Sequence, residues 1–265
     1  MEKLKEVIAY FFGQGQEIEF KNFTLAHFLP IIIMSVIIYF IYRYREQLRN
    51  YKHEKNIRMV MAFLLIICEM SYYWRLVGVP SLNPNPHEHL PISVCGWAII
   101  CGSYLLVTKS QSLFDVTYFF IFSGTIFALA TPTVISYCGP TRFRYYQFWG
   151  EHLFGYMAIF YMIFVHKMRP TAKSFVRAYI CLAVLAVIAF IANQMLGAGA
   201  NYLFMAELEE TASVLNFLPK NYALRVLLMA VAITLCFVLA YLPWFFKDKK
   251  KVVWKLENEE VKESL

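Results

Sequence analysis

Seven apolar runs, each close to the length needed to cross a bilayer, constrain this chain more than any other feature of it. A spanning helix needs about 20 mostly apolar residues, because each adds about 1.5 Å and the hydrocarbon layer is about 30 Å thick. The runs fall at 25–42, 57–77, 91–107, 113–130, 150–165, 175–196 and 224–246. Only 108–112 separates the third from the fourth, so these two read as an antiparallel helical hairpin. Composition agrees: 59% of residues are hydrophobic and 16% charged, where a soluble domain carries about 25% charged. The expected fold is an all-α polytopic bundle of seven transmembrane helices. Residues 1–246 form one transmembrane domain and 247–265 a charged tail. No internal repeat or separate soluble domain is visible.

The net charge of +7 would suit nucleic acid if the basic residues shared one surface, but they lie between and after the apolar runs. Arg43, Arg45, Arg49, Lys52, Lys55 and Arg58 fill the first connection; Lys109 the third; Lys167, Arg169, Lys173 and Arg177 the fifth; and several lysines the tail. Cytoplasmic loops collect Lys and Arg, so the N-terminus is expected outside and the C-terminus inside, with no nucleic-acid partner. The first 22 residues lack the basic, apolar and small-residue succession of a leader. They read as an outer amphipathic segment carrying Val7, Ile8, Phe11 and Phe12.

Ionisable groups inside a span need a partner, a cavity or a function. Glu69 and Arg75 lie in the outer half of the second span, Cys95 near the start of the third, Glu151 and His152 at the entry to the fifth, and Asn193 near the end of the sixth, with Asn201 and Tyr202 just beyond. Because the second and sixth spans run outward and the third and fifth inward, these positions share one depth. Each also has a plain structural reading. Glu69 and Arg75 can form an ion pair, Glu151 can favour a helix N-terminus, and Asn193 and Asn201 can join helices. Asp115 reads as the cap of the inner start of the fourth span, and His27 and His166 as interfacial. Of the six cysteines, five are ordinary fillers of helices or loops. Cys95 differs because Pro91 is expected to begin its helix, placing free N–H groups and the positive end of the dipole beside the thiol. A disulfide with Cys138 is one alternative for it. The others are plain helix packing for both Cys95 and His152, and a nucleophile and base pair of the two, for which a spacing of 57 residues is silent. No zinc spacing occurs, and neither a metal nor a cofactor is expected.

The string His89-Leu90-Pro91-Ile92-Ser93-Val94-Cys95 resembles the signature of the YwaF family of bacterial integral membrane proteins. Pro132 after the fourth span, His152, the segment 193–203 (NQMLGAGANYL) and Tyr241-Leu242-Pro243 fit the same pattern. That family is similar to a eukaryotic transmembrane acyltransferase that moves acyl chains onto ether lysophospholipids through a cysteine. More distantly, it is similar to membrane hydrolases of fatty acid esters of hydroxy fatty acids. The resemblance implies a bacterial plasma-membrane protein that transfers acyl chains between phospholipid and lysolipid, with Cys95 as nucleophile and His152 as general base. Under it, Glu69 or Glu151 orients the imidazole, Asn193 or Asn201 stabilises the oxyanion, Tyr202 supports them, and Arg75, Arg142 and Arg144 hold the phosphate. Ser93 departs from the histidine or glutamine often found two before the cysteine, and His89 is the candidate to replace it. The rival class is a transporter or scramblase using the same vestibule. Against it stand the lack of internal symmetry and the apolar inner half of the bundle.

Overall fold

The computed structural model describes residues 2–15, 20–130, 132, 138–206 and 218–263. The loops expected at 132–149 and 197–221 therefore lie partly outside the described residues. Among those described there is no strand. The helices are α1 (Glu2–Phe12), α2 (Leu25–Arg43), α3 (Arg45–Arg49), α4 (Glu54–Gly78), α5 (Val94–Thr108), α6 (Gln111–Phe120), α7 (Ile126–Ala130), α8 (Phe143–Phe164), α9 (Ala172–Leu196) and α10 (Tyr222–Glu263). A π-helical turn, Ile121–Thr125, joins α6 to α7.

Five helical stretches are long and apolar enough to cross a membrane: Leu25–Arg43, Glu54–Gly78, Gln111–Ala130, Ala172–Leu196 and Tyr222–Asp248. The other two expected spans correspond to helices of different character. α5 is apolar but has only 15 residues, a rise of about 22 Å. α8 has 22 residues and carries Arg144, Gln147, Glu151 and His152 on buried positions.

The apolar surface has two destinations. Ile99, Leu105, Phe114, Phe119, Phe120, Ile121 and Ile159 are enclosed by α5, α6, the π-turn and α8. Val60 and Phe63 on α4, Ile180 and Val184 on α9, and Leu227, Leu235 and Leu239 on α10 are exposed. Exposed apolar faces on several long helices identify lipid as the outer solvent. This makes the chain an integral membrane protein.

Polar side chains fix the helices to one another at a few points. Asp115 is fully buried and accepts from Gln111 Nε2 (2.7 Å), Ser174 Oγ (2.6 Å) and Arg177 Nη1 (2.7 Å). It sits in the second turn of α6 and ties that helix to the start of α9, rather than capping the fourth span as its position suggested. The basic residues of the inner loops also have local partners. Arg49 donates to the carbonyls of Phe164 (2.8 Å) and Val165 (2.6 Å) at the end of α8, and Arg58 to Leu106 at the end of α5. A helix C-terminus leaves carbonyls unpaired and carries partial negative charge, so an arginine there satisfies both.

α1 exposes Leu4, Val7 and Ile8, while Phe11 and Phe12 pack on Phe143 with ring centroids 5.9 and 5.1 Å apart. Gly13, at φ +118°, turns the chain away where a Cβ would stand 2.7 Å from Arg75 Nη2. Arg75 Nε donates to Phe12 O (2.8 Å), and Arg142 donates to the carbonyls of Tyr10 and Gln14 with its guanidinium 3.5 Å from the Tyr10 ring centroid. Two of the arginines expected to face substrate thus bind the end of α1.

Candidate functional site

The segment before Cys95 is held by the motif that ends α9. Asn193 Nδ2 donates to Tyr202 O (3.1 Å) and Asn193 Oδ1 accepts from Tyr202 N (2.8 Å). The Tyr202 hydroxyl donates to Pro86 O and accepts from Leu90 N (2.9 Å). Burial raises this phenol above its ordinary pKa. His87 Nε2 meets Leu196 O at 3.1 Å. Asn201 Oδ1 accepts from Ala206 N (3.0 Å). Asn193 and Tyr202 therefore position the 86–90 chain. Asn193→Ala leaves Tyr202 N unpaired and Tyr202 O with only the longer bond from Met205 N (3.4 Å), and is expected to destabilise by about 1–2 kcal/mol. Thermal unfolding checks it, with Asn193→Asp as the shape-preserving control.

Cys95 does not follow Pro91 directly into helix. Ser93 is the N-cap, in an extended conformation, and its Oγ accepts from Gly96 N (3.0 Å), so α5 begins at Val94. Ser93 thus serves its own helix, since a short hydroxyl satisfies one free amide of the first turn. Cys95 occupies that turn, half-buried. Thr125 Oγ1, from the π-turn, lies 3.9 Å from Sγ. Cys95 is a free thiol, so the disulfide alternative is not realised.

The π-turn brings Thr125 here because an extra residue in one helical turn shifts the register of the residues after it. Tyr156 Oη bonds Ile121 O in that turn (3.2 Å). At Gly124 a Cβ would fall 2.8 Å from Val94 Cγ1. Gly124→Ala is expected to cost about 1–3 kcal/mol through overpacking and to lower the reaction rate of Cys95 with a lipid-like maleimide by displacing Val94; stopped-flow labelling reads it.

α8 contributes a row of polar groups. Gln147 Nε2 donates to Glu151 Oε2 (2.7 Å) and to Cys68 O (3.0 Å). The carboxyls of Glu151 and Glu69 lie against each other, and Glu69 Oε1 also reaches the first turn of α5, 2.8 Å from where a Gly96 Cβ would stand. Glu69 faces Glu151 rather than the Arg75 partner that spacing suggested. His152 is buried against the Phe148 ring at 4.3 Å, and its Nδ1 is 2.8 Å from Phe148 O. A carbonyl can only accept, so Nδ1 carries the proton and Nε2 keeps its lone pair in the neutral ring.

Arg144 completes the row. Its guanidinium lies 4.6 Å from the Tyr72 ring centroid and 5.8 Å from that of Phe148. The residue is 9% exposed, yet Nε and Nη1 have no hydrogen-bond partner among the described residues. Glu69 and His152 lie within its electrostatic reach. His89 stacks on Tyr72 at 6.1 Å with Nδ1 3.0 Å from Asn85 O, so it reaches this cluster through an aromatic ring.

Cys95 and His152 are on helices that pack directly. Glu151 is within electrostatic reach of both. Among the described residues no hydrogen bond joins them. Tyr72, Thr125 and Gln147 carry no signal in the sequence, since each is ordinary in its helix and acquires meaning only through its neighbours.

Fold and site together define an all-helical integral membrane protein with a buried constellation of thiol, imidazole, paired carboxyls and guanidinium at one end of the bundle. The chain belongs to the TMEM164 family, whose model matches residues 22–241. This agrees with the relation expected from the sequence, to a eukaryotic cysteine-dependent acyltransferase of ether lysophospholipids. No curated protein and no solved structure matches.

Proposed function

We propose that this protein is a lipid acyltransferase that carries an acyl chain on Cys95 as a thioester between a phospholipid donor and a lysolipid acceptor. Five of its spans are the long apolar helices, with α5 and α8 completing seven. The basic residues of alternate connections support an N-terminus outside and a Cys95 cluster near the outer leaflet. The observation that carries the reading is the 2.8 Å contact of His152 Nδ1 with Phe148 O: in the neutral ring it assigns the proton to Nδ1 and leaves the Nε2 lone pair as the base, on a helix packed against that of Cys95.

In the first half-reaction the Cys95 thiol proton passes to His152 Nε2 and Sγ attacks the ester carbonyl carbon. The carbonyl electron pair moves onto oxygen, beside the N–H groups that open α5 at Val94 and Cys95. Collapse of the tetrahedral adduct breaks the C–O bond, and the departing lysolipid oxygen takes the proton back from His152. In the second half-reaction a lysolipid hydroxyl gives its proton to His152, its oxygen attacks the thioester, and Sγ leaves and is reprotonated. Glu151, held by Gln147, offsets the imidazolium formed in each half, as the third member of a triad does. Arg144, with two nitrogens that lack a hydrogen-bond partner among the described residues, holds the phosphate.

The test is to trap the intermediate. Protein in nanodiscs is given phosphatidylcholine with an isotopically labelled acyl chain and no acceptor. The expected product is a hydroxylamine-sensitive label on the Cys95 peptide, discharged to ester when lysolipid is added. A label on another cysteine, or turnover of donor with no acyl protein, overturns the proposal. Release to fatty acid instead of ester would make water the acceptor and the protein a lipase.

A further inference from the structure

At the end of the bundle opposite to Cys95, a cleft of about 960 Å³ opens between α10 on one side and α2, α3 and the end of α8 on the other. Its floor is Tyr118, Phe122 and Ile126, its walls include Phe160, Ile163 and Leu239, and it is apolar over most of its length. Pro243 removes a backbone donor from α10 here. The helix is held in place by Tyr118 Oη donating to Ala240 O (2.7 Å) and accepting from Trp244 Nε1 (3.0 Å), so the cleft wall keeps its shape. From Cys236 to Lys247 it extends about 16 Å along α10.

The mouth is cationic. Arg45, Arg49, Lys167, Arg169 and Lys247 line it, with Glu46 the one acid among them. Arg49 pairs with Glu46 and Arg169 with Asp248. Lys167 is exposed on a left-handed turn residue (φ 58°), and Lys247 stands over the Trp244 ring at 5.3 Å. Neither lysine has a carboxylate in salt-bridge distance among the described residues. Glu46 is within electrostatic reach of Lys167 but is bonded to Arg49, so an apolar trough ending in ammonium groups without a salt bridge has the shape and charge order of one lipid: chain below, anion above.

We infer that this cleft is a binding site for an anionic phospholipid of the leaflet opposite to the Cys95 cluster, with its phosphate between Lys167 and Lys247 and one acyl chain along Phe160, Ile163 and Leu239 to Phe122. The site is separate from the thioester chemistry and stands whether or not that chemistry occurs.

The experiment uses the full chain in phosphatidylcholine nanodiscs doped with phosphatidylglycerol bearing a diazirine on its acyl chain, and in a parallel sample with the same chain on phosphatidylcholine. After irradiation, peptides spanning 118–126, 160–168 and 236–247 are expected to carry several-fold more phosphatidylglycerol label than the exposed face of α9 at Ile180 and Val184. Each lysine neutralised, in Lys167→Gln and Lys247→Gln, is expected to lower that label about fivefold. Ala240→Trp, which fills the trough, lowers it for both lipids. Equal labelling of cleft and α9, equal labelling by the two lipids, or indifference to the lysine variants makes the cleft ordinary lipid-facing surface and overturns the inference. The comparison of lipids on the unaltered protein decides the matter even if a variant fails to fold.

Discussion

Cys95→Ser is expected to abolish acyl transfer, by roughly 10³- to 10⁶-fold, while leaving the bundle folded. Serine is the closest replacement in shape, and the side chain is half-buried with Thr125 Oγ1 its nearest side-chain partner at 3.9 Å. Little packing is lost, and stability is expected to stay within about 1 kcal/mol. The loss arises because a hydroxyl is a far poorer nucleophile at neutral pH than a thiol whose proton a neighbouring base can take. His152→Ala is expected to cost roughly 10²- to 10⁴-fold. The double variant should be no slower than Cys95→Ser alone, because the two groups act on one proton and their effects do not add. The measurement is transfer of a labelled acyl chain between lipids, with thermal unfolding of each variant beside it. Activity retained by a folded Cys95→Ser protein ends the thioester mechanism, and additive losses in the double variant would show that His152 acts elsewhere.

The largest effect on stability is expected from Asp115→Ala. Its carboxylate has no exposed surface and receives Gln111, Ser174 and Arg177. Removing it takes a charged acceptor from three donors at the junction of α6 and α9, where Gln111 keeps Arg169 O (3.0 Å) and Ser174 keeps Thr171 Oγ1 (3.1 Å), at an expected cost of about 3–4 kcal/mol. Asp115→Asn should cost less, since its oxygen can still accept from Ser174 while its NH₂ opposes Arg177. Arg177→Ala should cost about 1 kcal/mol or less, because that side chain is 47% exposed and solvent already screens it. Unfolding in detergent orders the three. Acyl transfer per folded molecule should be unchanged, since Asp115 is far along α6 from the π-turn that touches Cys95.

Not every polar position carries chemistry. Arg75 and Arg142, at the right depth to meet a headgroup, instead close the end of α1. Asn193, a natural oxyanion donor by residue type, gives its amide to both backbone groups of Tyr202. Arg144 is the arginine of the three within electrostatic reach of both Glu69 and His152. What separates it from the others is the position of a carbonyl a few ångströms away, and residue type and depth are silent about that.

The number of apolar runs, the hairpin between the third and fourth, the placing of basic residues in alternate connections and the gathering of Glu69, Cys95, Glu151 and His152 at one depth were all legible from the chain alone. They depend on length, hydrophobicity and chain direction, which are local or cumulative properties of sequence. Several others needed three dimensions: the π-turn that delivers Thr125, the helix start at Val94 rather than Pro91, the meeting of Glu69 with Glu151 instead of Arg75, the contact of His152 Nδ1 with Phe148 O, and the apolar cleft beside α10. Each of these depends on which face one helix turns to its neighbour. Rotation about a helix axis is decided by the sum of many side-chain contacts across the bundle rather than by any one stretch of sequence.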